Sequence, residues 1–345
     1  MHRFDYSFLK NDIPSDIFGA ISILYDLRGR NEMRIEEKSS TVDSMRKNAM
    51  VDSVRSSNAI EGIVSTKERV AEIMENGGPK THDEKEIDGY RKALTEVCNN
   101  YDIQLTEDLL KHWHYLMLEF TSEKAGEYKT EDNWIQQRDR DGNVSVRFVP
   151  VRAKDTEDAM SQLFTAYREA RQDSDILDLF AAFAFVLDFL CIHPFADGNG
   201  RVSRLLTDML LLKMGFTVGL YVSVDKKIED NLAEYYDALY RSSEGWHQNK
   251  NDYMPFILYM IRIVYECYKD FDKRFIKASI TPISKEEQIA NYMENAFVPV
   301  SKNEIMDAFP EISEITVKRT LKKLADEGRI VKIGTYRDAR YKHKF

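Results

Sequence analysis

The stretch His193-Pro-Phe-Ala-Asp197-Gly198-Asn199-Gly200-Arg201-Val-Ser-Arg204 lies between two long apolar runs. The run before it covers residues 177–192, and the run after it covers residues 205–214. Apolar residues at helical spacing on both sides predict two helices that are buried along most of their length. The two glycines favour a turn between these helices. The sequence therefore predicts a buried helix, a polar loop and a second helix, in that order.

The side chains of this loop suit the binding of an anion. The two glycines let backbone N–H groups face a ligand, and the helix that begins near Gly200 adds free N–H groups and the positive end of its dipole. Arg201 and Arg204 add planar cations that match phosphate oxygens. Asp197 offers a hard oxygen ligand of the kind that Mg²⁺ accepts beside nucleotide phosphates. His193, at the loop entrance, is able to accept a proton near neutral pH.

Each of these features has an ordinary structural interpretation when it is taken alone. A histidine after an apolar helix is usually a polar helix end, and a Gly-x-Gly sequence is usually a turn. One histidine, one aspartate, one asparagine and two arginines around two glycines in a single short stretch are a rarer combination. We therefore interpret residues 193–204 as a phosphate or nucleotide site.

The same stretch resembles the signature of Fic-domain proteins, His-x-Phe-x-(Asp/Glu)-Gly-Asn-Gly-Arg-x-x-Arg, and matches it at every defined position. Most members of that family transfer AMP from ATP to a hydroxyl side chain of a target protein. The resemblance implies that His193 is the catalytic base and that Asp197 holds Mg²⁺ between the α- and β-phosphates. We interpret Phe195 as an anchor that holds the loop in the core.

The resemblance also assigns the phosphates of ATP to this loop. It implies that Gly198, Asn199 and Gly200 line an anion hole, in which Asn199 donates to the α-phosphate as a catalytic residue. It further implies that Arg201 binds the β-phosphate region and that Arg204 binds the γ-phosphate. ATP is therefore the expected substrate, with Mg²⁺ as its metal.

An N-terminal helical pattern ends in Ser57-Asn-Ala-Ile-Glu61-Gly62. Ser57 and Glu61 are four residues apart and share a helix face, and Gly62 suits a helix C-cap. An ordinary helix ending explains these residues equally well. The segment is nevertheless similar to the inhibitory motif of Fic proteins, (Ser/Thr)-x-x-x-Glu-(Gly/Asn). The resemblance implies that Glu61 pairs with Arg204 in the place of the γ-phosphate.

Strand-forming residues gather between residues 126 and 151, namely Trp134, Ile135, Val144, Val146, Phe148 and Val149. Asp141-Gly142-Asn143 between them predicts a β-hairpin turn. In Fic proteins such a hairpin, called the flap, lies over the active site and pairs with the target segment as a strand would. Gly126-Glu-Tyr128-Lys129 resembles the approach to the flap, although Lys129 stands where Arg is common. The alternative to a flap is a hairpin that has no function in the active site.

Two pairs of residues with ring side chains, Tyr235-Tyr236 and His112 with His114, have different interpretations. Tyr235-Tyr236 resembles the pair that many Fic proteins place near the base of the nucleotide, although both rings could equally belong to the core. An Asn that is often found on the following turn is not evident, since Ser242 and Ser243 lie there. His112 and His114 point to different faces of a helix, and we expect both on the surface.

The composition excludes several classes of protein. The chain has 345 residues, 43% of them hydrophobic and 31% charged, which is typical of a soluble globular protein of two or three domains. Its net charge of −9 argues against nucleic-acid binding by the chain as a whole. Three widely spaced cysteines without Cys-x-x-Cys indicate a reducing cytosol and no metal–thiolate site. With no signal peptide or membrane-spanning run in the sequence, we expect a cytoplasmic protein that does not contact membranes.

The last sixty or so residues predict a separate domain. They contain helical patterns at residues 285–296, 302–309 and 313–327, the second with a capping box at Ser301 and Glu304. Residues 329–333 and 340–342 predict a two-stranded wing, so the whole resembles a winged helix. Residues 315–345 carry ten Lys/Arg against three Asp/Glu. DNA contact through this basic face and a protein-interaction or dimer module are equally compatible with the pattern.

We therefore predict a mainly α protein with a Fic-type helical bundle, a β-hairpin flap and a C-terminal winged-helix domain. The predicted domains are an N-terminal helical region with the inhibitory helix (residues 1–100), a catalytic core (residues 101–278) and a winged-helix domain (residues 283–345). Further helices are predicted at residues 15–28, 41–57, 65–76, 84–99, 106–120, 156–171, 176–192, 201–214, 228–242 and 253–275.

Three functions are compatible with these patterns. The first is an autoinhibited protein adenylyltransferase that modifies a Ser, Thr or Tyr hydroxyl of a target protein and of itself. The second is a de-AMPylase, or a transferase of another nucleotide or phosphate-bearing group. The third is a DNA-binding regulator whose Fic core senses nucleotide. A homodimer that masks or frees the inhibitory helix is compatible with each of them.

Overall fold

The computed structural model describes residues 2–10, 15–37, 39–138, 144–280, 284–294, 299–334 and 339–343. The chain divides into two compact units, Met1–Asp272 and Lys273–Phe345. The first unit is helical apart from one described hairpin, and the second combines helices with a small sheet. The predicted mainly α architecture is confirmed. None of the described helices is both long enough and apolar enough to span a membrane.

Eleven helices described by the structure begin in the first unit. They are α1 (Ser15–Glu37), α2 (Ser39–Ile60), α3 (Lys67–Asn76), α4 (His82–Asn100), α5 (Glu107–Leu118), α6 (Thr156–Ala170), α7 (Asp178–Ile192), α8 (Asn199–Lys213), α9 (Val224–Asp230), α10 (Leu232–Ser243) and α11 (Met254–Ile280). Thr66, Thr81 and Thr106 are the N-caps of α3, α4 and α5, and each hydroxyl accepts a hydrogen bond from a backbone N–H of the first turn.

Helix α7 lies at the centre of the first unit because it is apolar on every side. All its residues from Leu179 to Ile192 are buried, and the helix packs against α6, α8 and α10. Asp188 is the charged residue within this segment. Its carboxylate accepts hydrogen bonds from Trp246 Nε1 (2.7 Å), Tyr6 Oη (2.8 Å) and Tyr253 Oη (2.9 Å). Burial raises the pKa of Asp188 to about 7, and the three donors offset part of that effect.

Two helix predictions in the first unit are wrong. Helix α1 continues to Glu37 instead of ending at Arg28. The predicted single helix at residues 228–242 is two helices, because Asn231 lies between α9 and α10 with φ −121° and ψ 32°. The Asn231 amide donates to the Lys227 carbonyl at 2.9 Å and so caps the end of α9. Asparagine commonly competes with the helix for backbone hydrogen bonds in this way.

The predicted hairpin is formed by β1 (Ile135–Arg138) and β2 (Val144–Phe148), which pair antiparallel. Arg138 pairs with Val144 and Ile135 pairs with Phe148, with an irregularity between Ile135 and Gln136. The predicted turn at residues 141–143 lies outside the described residues.

The second unit contains three described helices and a sheet of three described strands. The helices are α12 (Lys285–Glu294), α13 (Lys302–Ala308) and α14 (Glu314–Asp326), and the strands are β3 (Val300–Ser301), β4 (Ile330–Ile333) and β5 (Arg340–His343). The strands are ordered β3-β5-β4 and are antiparallel, so β3 adds a strand to the predicted wing. The predicted capping box of Ser301 and Glu304 is present. The core includes Ile289, Met293, Ile305, Val317 and Leu321.

The basic face predicted on α14 is partly neutralised within its own unit. Lys318 pairs with Glu314 at 2.9 Å, and Arg319 and Lys323 lie 2.5 and 3.8 Å from Glu286 on α12. Ion pairs of this kind leave fewer unpaired cations for the phosphates of a nucleic acid.

Candidate active site

His193 ends helix α7 and begins the loop. Its backbone is left-handed (φ 53°), and its N–H donates to the Phe189 carbonyl. Nδ1 lies 3.3 Å from the Leu190 carbonyl, which can only accept, so Nδ1 carries the proton and Nε2 keeps a free lone pair. Burial, followed by the charge of Lys129, lowers the pKa of His193 to about 4. The imidazole is therefore a neutral proton acceptor at physiological pH.

Lys129, whose role the sequence left open, caps the end of α7 beside His193. Its backbone N–H donates to the Pro194 carbonyl (2.8 Å), and its Nζ donates to the Ile192 carbonyl (3.1 Å) and to Asn133 Oδ1 (2.8 Å). The side chain is buried, and burial lowers its pKa to about 8. A cation at the C-terminus of a helix interacts favourably with the negative end of the helix dipole.

Asn199 closes the loop on itself. Its Oδ1 accepts from the Phe195 N–H (2.9 Å), and its Nδ2 donates to the Phe195 carbonyl (2.8 Å). The residue is buried at the first position of α8. Gly198, just before it, adopts φ 74°, a left-handed conformation that favours glycine. The two hydrogen bonds hold Phe195 in the core, where it is fully buried, as predicted.

His114 of α5 contacts the loop through Phe195 and Asp197. The prediction that His114 lies on the surface is wrong. The ring is 2% exposed and stacks on Phe195 with ring centroids 4.0 Å apart. Its Nδ1 accepts from the Gly126 N–H (2.8 Å), and its Nε2 donates to the Asp197 carbonyl (3.1 Å). Burial lowers its pKa to about 4. The i, i+4, i+8 series Leu110, His114 and Leu118 is the signal that would have placed this ring on the inner face of α5.

Arg204 is buried in α8 and has partners on two other elements. Its Nε donates to Ser57 Oγ (2.7 Å), and its Nη2 donates to the Ser57 carbonyl (2.8 Å) and to Glu61 Oε1 (2.8 Å). Asp225 of α9, which the sequence analysis did not identify, lies 3.6 Å from Nε. Burial raises the pKa of Asp225 to about 6, although Arg204 acts in the opposite direction.

Glu61 lies against the start of α8, where residues 198–204 form what we call the anion cradle. It follows the last residue of α2, and Gly62 after it turns the chain with φ 87°. The Glu61 carboxylate lies against Gly200 so closely that a Cβ on Gly200 would overlap Oε1. The Glu61 side chain is 32% exposed, whereas that of Arg204 is 3% exposed. A carboxylate therefore occupies the N-terminal end of α8, where an anion is favoured.

Arg201 points away from this carboxylate. It is 1% exposed and forms an ion pair with Glu86 of α4, and its Nη1 lies 3.4 Å from Asn58 Oδ1. Asp197 is exposed, with 78% of its side chain accessible. Its Oδ1 accepts from the Gly198 N–H (2.6 Å) and its Oδ2 lies 3.9 Å from Arg201.

A cleft of about 870 Å³ opens onto these groups, a volume typical of small-molecule sites. Of the predicted site residues, it is lined by Glu61, His193, Gly200, Arg204, Tyr235 and Tyr236. The others do not line it: Ser57, Gly62, Asp197, Gly198, Asn199 and Arg201. Tyr235 lines the cleft and also packs against Phe256 and Tyr259, so its position is compatible with either interpretation of the tyrosine pair.

The hairpin supplies the roof of the cleft through Ile135, Gln136, Arg147 and Phe148. Phe148 stacks on His247 with centroids 5.5 Å apart, and His247 Nε2 donates to the Val149 carbonyl at 2.7 Å. These contacts attach β2 to the segment that follows α10.

Residues 104–211 match the Fic/DOC family, and residues 284–334 match the TBPIP/Hop2 winged helix domain. The chain is 27% identical over 147 residues to a Fido domain-containing protein of Dictyostelium discoideum, which is 42% of this chain and 90% of that protein. It is 26% identical over 260 residues to the protein adenylyltransferase Fic of Nematostella vectensis (70% of this chain, 52% of that protein). It is 25% identical over 213 residues to fic-1 of Caenorhabditis elegans (59% and 37%). The chain thus spans about half the length of these adenylyltransferases, or less.

Solved structures share the fold. A Fic family protein from Desulfovibrio desulfuricans G20 superposes with a TM-score of 0.65 at 19% identity, over 97% of this chain and 98% of that one. A Fic domain-containing protein from Bacteroides thetaiotaomicron superposes with a TM-score of 0.62 at 20% identity, over 75% of this chain and 97% of that one. The predicted Fic-type bundle and C-terminal winged helix are confirmed. The chain therefore contains a Fic domain at residues 104–211.

Proposed function

We propose that the protein is an adenylyltransferase that moves AMP from ATP to a Ser, Thr or Tyr hydroxyl of a target protein and of itself, and that Glu61 restrains this activity. The observation that carries the proposal is the Glu61 carboxylate, held 2.8 Å from Arg204 at the start of α8. This is the place in the cleft that best suits a terminal phosphate. The names of the adenylyltransferases from Nematostella vectensis and Caenorhabditis elegans support the same reaction.

His193 is suited to the chemical step. The target hydroxyl attacks the α-phosphorus of ATP, a new P–O bond forms, and the bond to the β-phosphate breaks so that pyrophosphate leaves. The hydroxyl proton needs an acceptor as the attack proceeds. Nε2 of His193 is unprotonated and lines the cleft, so it can take that proton.

The anion cradle would hold the triphosphate. The backbone N–H groups at the start of α8 stabilise negative charge, and Arg204 supplies a buried cation. The side-chain amide of Asn199 has two N–H donors, and one of them bonds to the Phe195 carbonyl. The other would donate to the α-phosphate, which is the predicted role of Asn199. Arg201 would need to exchange Glu86 for the β-phosphate region in order to act as predicted.

Asp197 fits a Mg²⁺ ion that is held mainly by phosphate oxygens and water. Its side chain is 78% exposed, and a carboxylate is a hard ligand. Among the residues that the structure describes, no group of three or more His, Cys, Asp or Glu side chains could hold a metal ion by itself. Mg²⁺ commonly uses one or two carboxylates together with substrate phosphates. When bound, it would offset the negative charge of those phosphates.

Inhibition follows from charge and space. A γ-phosphate and the Glu61 carboxylate carry the same sign and compete for Arg204 and for the same end of α8. Arg204 is buried, and a buried cation that loses its partner costs about 3–5 kcal/mol. Asp225 lies 3.6 Å from Arg204 Nε on a different helix from Glu61, and it would offset part of that cost if it kept this position during the exchange.

The test compares wild type, Glu61→Gly, Glu61→Gln and the double variant Glu61→Gly/His193→Ala, each with Mg²⁺ and ATP, by intact mass. We expect wild type to gain little mass and both Glu61 single variants to gain AMP at least about tenfold faster. The glutamine variant keeps the size of the side chain, so it separates charge from packing. Loss of His193 should slow the reaction about a hundredfold or more.

The outcomes separate the alternative functions. Equal AMP incorporation by wild type and both Glu61 variants would refute the restraint while keeping the transferase. If no variant gains AMP although ATP binds, the transferase proposal fails. That result would favour a de-AMPylase, another nucleotide or a nucleotide-sensing regulator.

A further inference from the structure

His2 packs against Trp246, in the segment that follows α10, although 244 residues separate the two along the chain. The His2 ring stacks on the indole with ring centroids 4.0 Å apart and an angle of 10° between the planes. His2 Nδ1 donates to the Trp246 carbonyl at 2.7 Å, and Phe4 adds an edge contact with the same indole at 5.9 Å. His2 is 4% exposed and Trp246 is 1% exposed. The proposed reaction does not yet use this buried contact.

Trp246 begins a short turn that the same N-terminal segment holds at a second point. The turn is the 3₁₀ helix Trp246–Gln248, and Asn249 ends it with a left-handed backbone (φ 53°). The backbone N–H of Arg3 donates to Asn249 Oδ1 at 2.6 Å. Asparagine tolerates this backbone region better than most residues, and the bond from Arg3 helps to keep it there. His2 and Arg3 thus hold the two ends of the turn.

The same turn carries contacts that attach the hairpin. The Trp246 indole meets the Phe148 ring of β2 edge-on at 6.3 Å, and His247 stacks on Phe148 at 5.5 Å. His247 also donates to the Val149 carbonyl, directly after β2. Each aromatic pair of this kind changes an equilibrium by about a factor of two to ten. The turn therefore links His2 to β2 through side chains that pack in series.

Arg147 attaches the same strand to α10. Its guanidinium lies over the Tyr236 ring, 5.2 Å from the centroid, and its Nη2 donates to the Tyr236 carbonyl at 2.5 Å. Tyr236 is 38% exposed, whereas Trp246 is buried. A cation–π contact is weaker at an exposed site than at a desolvated one. The contact of β2 with the turn is thus the better suited of the two to fix the hairpin.

His2 is neutral in this arrangement. Burial lowers the pKa of His2 to about 4, so at physiological pH the ring carries one proton, on the Nδ1 that bonds to Trp246. Its Nε2 lies 3.1 Å from Tyr253 Oη, which is also within 2.9 Å of Asp188 Oδ1 on α7. Bonds at both ring nitrogens fix the orientation in which the ring stacks on Trp246.

We propose that His2 is a positioning residue for the hairpin: its ring braces the turn Trp246–Gln248 against Phe148 and thereby holds β2 over the cleft. His2 does not itself line the cleft, so it acts through Trp246 and His247. Its effect on AMP transfer rests on the proposed function, whereas its effect on the hairpin does not.

The test measures the backbone hydrogen exchange of β2 by mass spectrometry, on the full chain without ATP. His2→Gln removes the ring and keeps a side-chain N–H for the Trp246 carbonyl. We expect the β2 amides to exchange about fivefold faster in His2→Gln than in wild type, because loss of a stacked pair raises the open population of the hairpin. The amides of α5 should exchange as in wild type, which shows that the first unit is folded.

Two further variants separate the ring from other effects. His2→Phe keeps a flat ring on Trp246 without the N–H donor, so its β2 exchange should stay within about twofold of wild type. Arg3→Gln alters a side chain that is 81% exposed and pairs with Asp5, and it should leave exchange unchanged. Unchanged β2 exchange in His2→Gln, or an equal increase in α5 and β2, would overturn the inference. So would β2 exchange in His2→Phe that is as fast as in His2→Gln.

The same substitutions in Glu61→Gly connect the hairpin to the reaction. We expect His2→Gln to slow AMP incorporation a few times, measured by intact mass, and His2→Phe to restore most of the rate. A rate that His2→Gln leaves unchanged, despite faster β2 exchange, would overturn the role of His2 in the reaction. If Glu61→Gly itself gains no AMP while β2 exchanges as expected, the proposed function fails and the positioning of the hairpin by His2 stands.

Discussion

At the scale of single residues, His193 shows how a neutral base is obtained at the end of a helix. The Leu190 carbonyl holds the proton on Nδ1, and the positive charge of Lys129 opposes a second proton on the ring. Burial acts in the same direction, so the pKa of His193 falls from its ordinary value to about 4. The imidazole is lost as a base only when the pH falls through that value.

We therefore expect the transfer rate of Glu61→Gly to be independent of pH between about 6 and 8, and to fall about tenfold per pH unit only below about pH 4. The measurement is the initial rate of AMP incorporation against pH, with circular dichroism at each pH to show that the protein is folded. A rate that already halves near pH 6.5, the ordinary pKa of histidine, would contradict a desolvated His193.

The same measurement tests the effect of Lys129 on His193. Replacing Lys129 by Met removes the nearby charge, so the pKa of His193 should rise and the acid limb of the profile should move to higher pH. Lys124→Met is the matched control, because Lys124 is exposed and bonds to Thr130. It should leave the profile unchanged.

At the scale of elements, helix α2 holds Glu61 in place through its contact with α9. Ser53 Oγ donates to Ser223 Oγ at 2.8 Å, just before α9. Glu229 of α9 accepts from Arg55 (2.5 Å) and from Ser56 (2.9 Å). The Arg55 and Glu229 side chains are only about one-fifth exposed. A partly buried contact of this kind is stronger than a fully exposed pair. Because Glu61 follows the last residue of α2, we expect this contact between α2 and α9 to fix the position of Glu61. None of the residues that form the contact lines the cleft.

Glu229→Ala should therefore activate the enzyme without changing the active site. Suppose that the contact stabilises the position of α2 in which Glu61 pairs with Arg204 by about 1 kcal/mol. Its loss then raises the population of molecules in which this pair is broken about fivefold. We expect AMP incorporation a few times faster than in wild type and slower than in Glu61→Gly. Rates are compared by intact mass at one ATP concentration.

Asp230→Ala provides the control for this prediction. Asp230 lies on the same helix and pairs with Lys226 of that helix, so it should leave the rate unchanged. Equal rates in Glu229→Ala and wild type would show that the contact between α2 and α9 does not hold the inhibitory segment.

At the scale of the whole molecule, the chain consists of two units with separate cores. Every residue that lines the cleft belongs to the first unit. The finer division into residues 1–100, 101–278 and 283–345 stays a prediction. The second unit has its own buried cluster, and Lys318, Arg319 and Lys323 of α14 pair with acidic residues of α12 and α14.

We expect a chain without residues 281–345 to keep the AMP transfer of Glu61→Gly within about twofold, because the cleft and α2 lie in the first unit. Activity and thermal unfolding are measured on both lengths of chain. A large loss of activity in a folded, shortened chain would show that the second unit contributes to the active site.

The same pair of proteins tests the predicted alternative of DNA binding. Because ion pairs within the unit already use several cations of α14, we expect little salt-dependent binding of duplex DNA. A shift of duplex DNA that weakens steeply with salt and requires residues 281–345 would instead support the regulator.

The sequence by itself determined the order of most helices, the polar loop after α7 and the Fic-domain signature in that loop. These features depend on local rules: long apolar runs, glycine at left-handed positions such as Gly198, and capping residues such as Ser301. Each rule acts between residues that are close along the chain, so each can be applied to the sequence without knowledge of the fold. The mistaken single helix at residues 228–242 shows the limit, since Asn231 was not recognised as a cap.

Only the tertiary structure decided which side chains meet. His114 supports Asp197 across 83 residues, Arg201 turns to Glu86 across 115, and Arg204 reaches Glu61 across 143. No local pattern encodes such pairs, because they arise when helices pack and a buried polar group must find whichever partner the packing brings near it. For the same reason the place of Arg147 above Tyr236 became visible only in the folded chain.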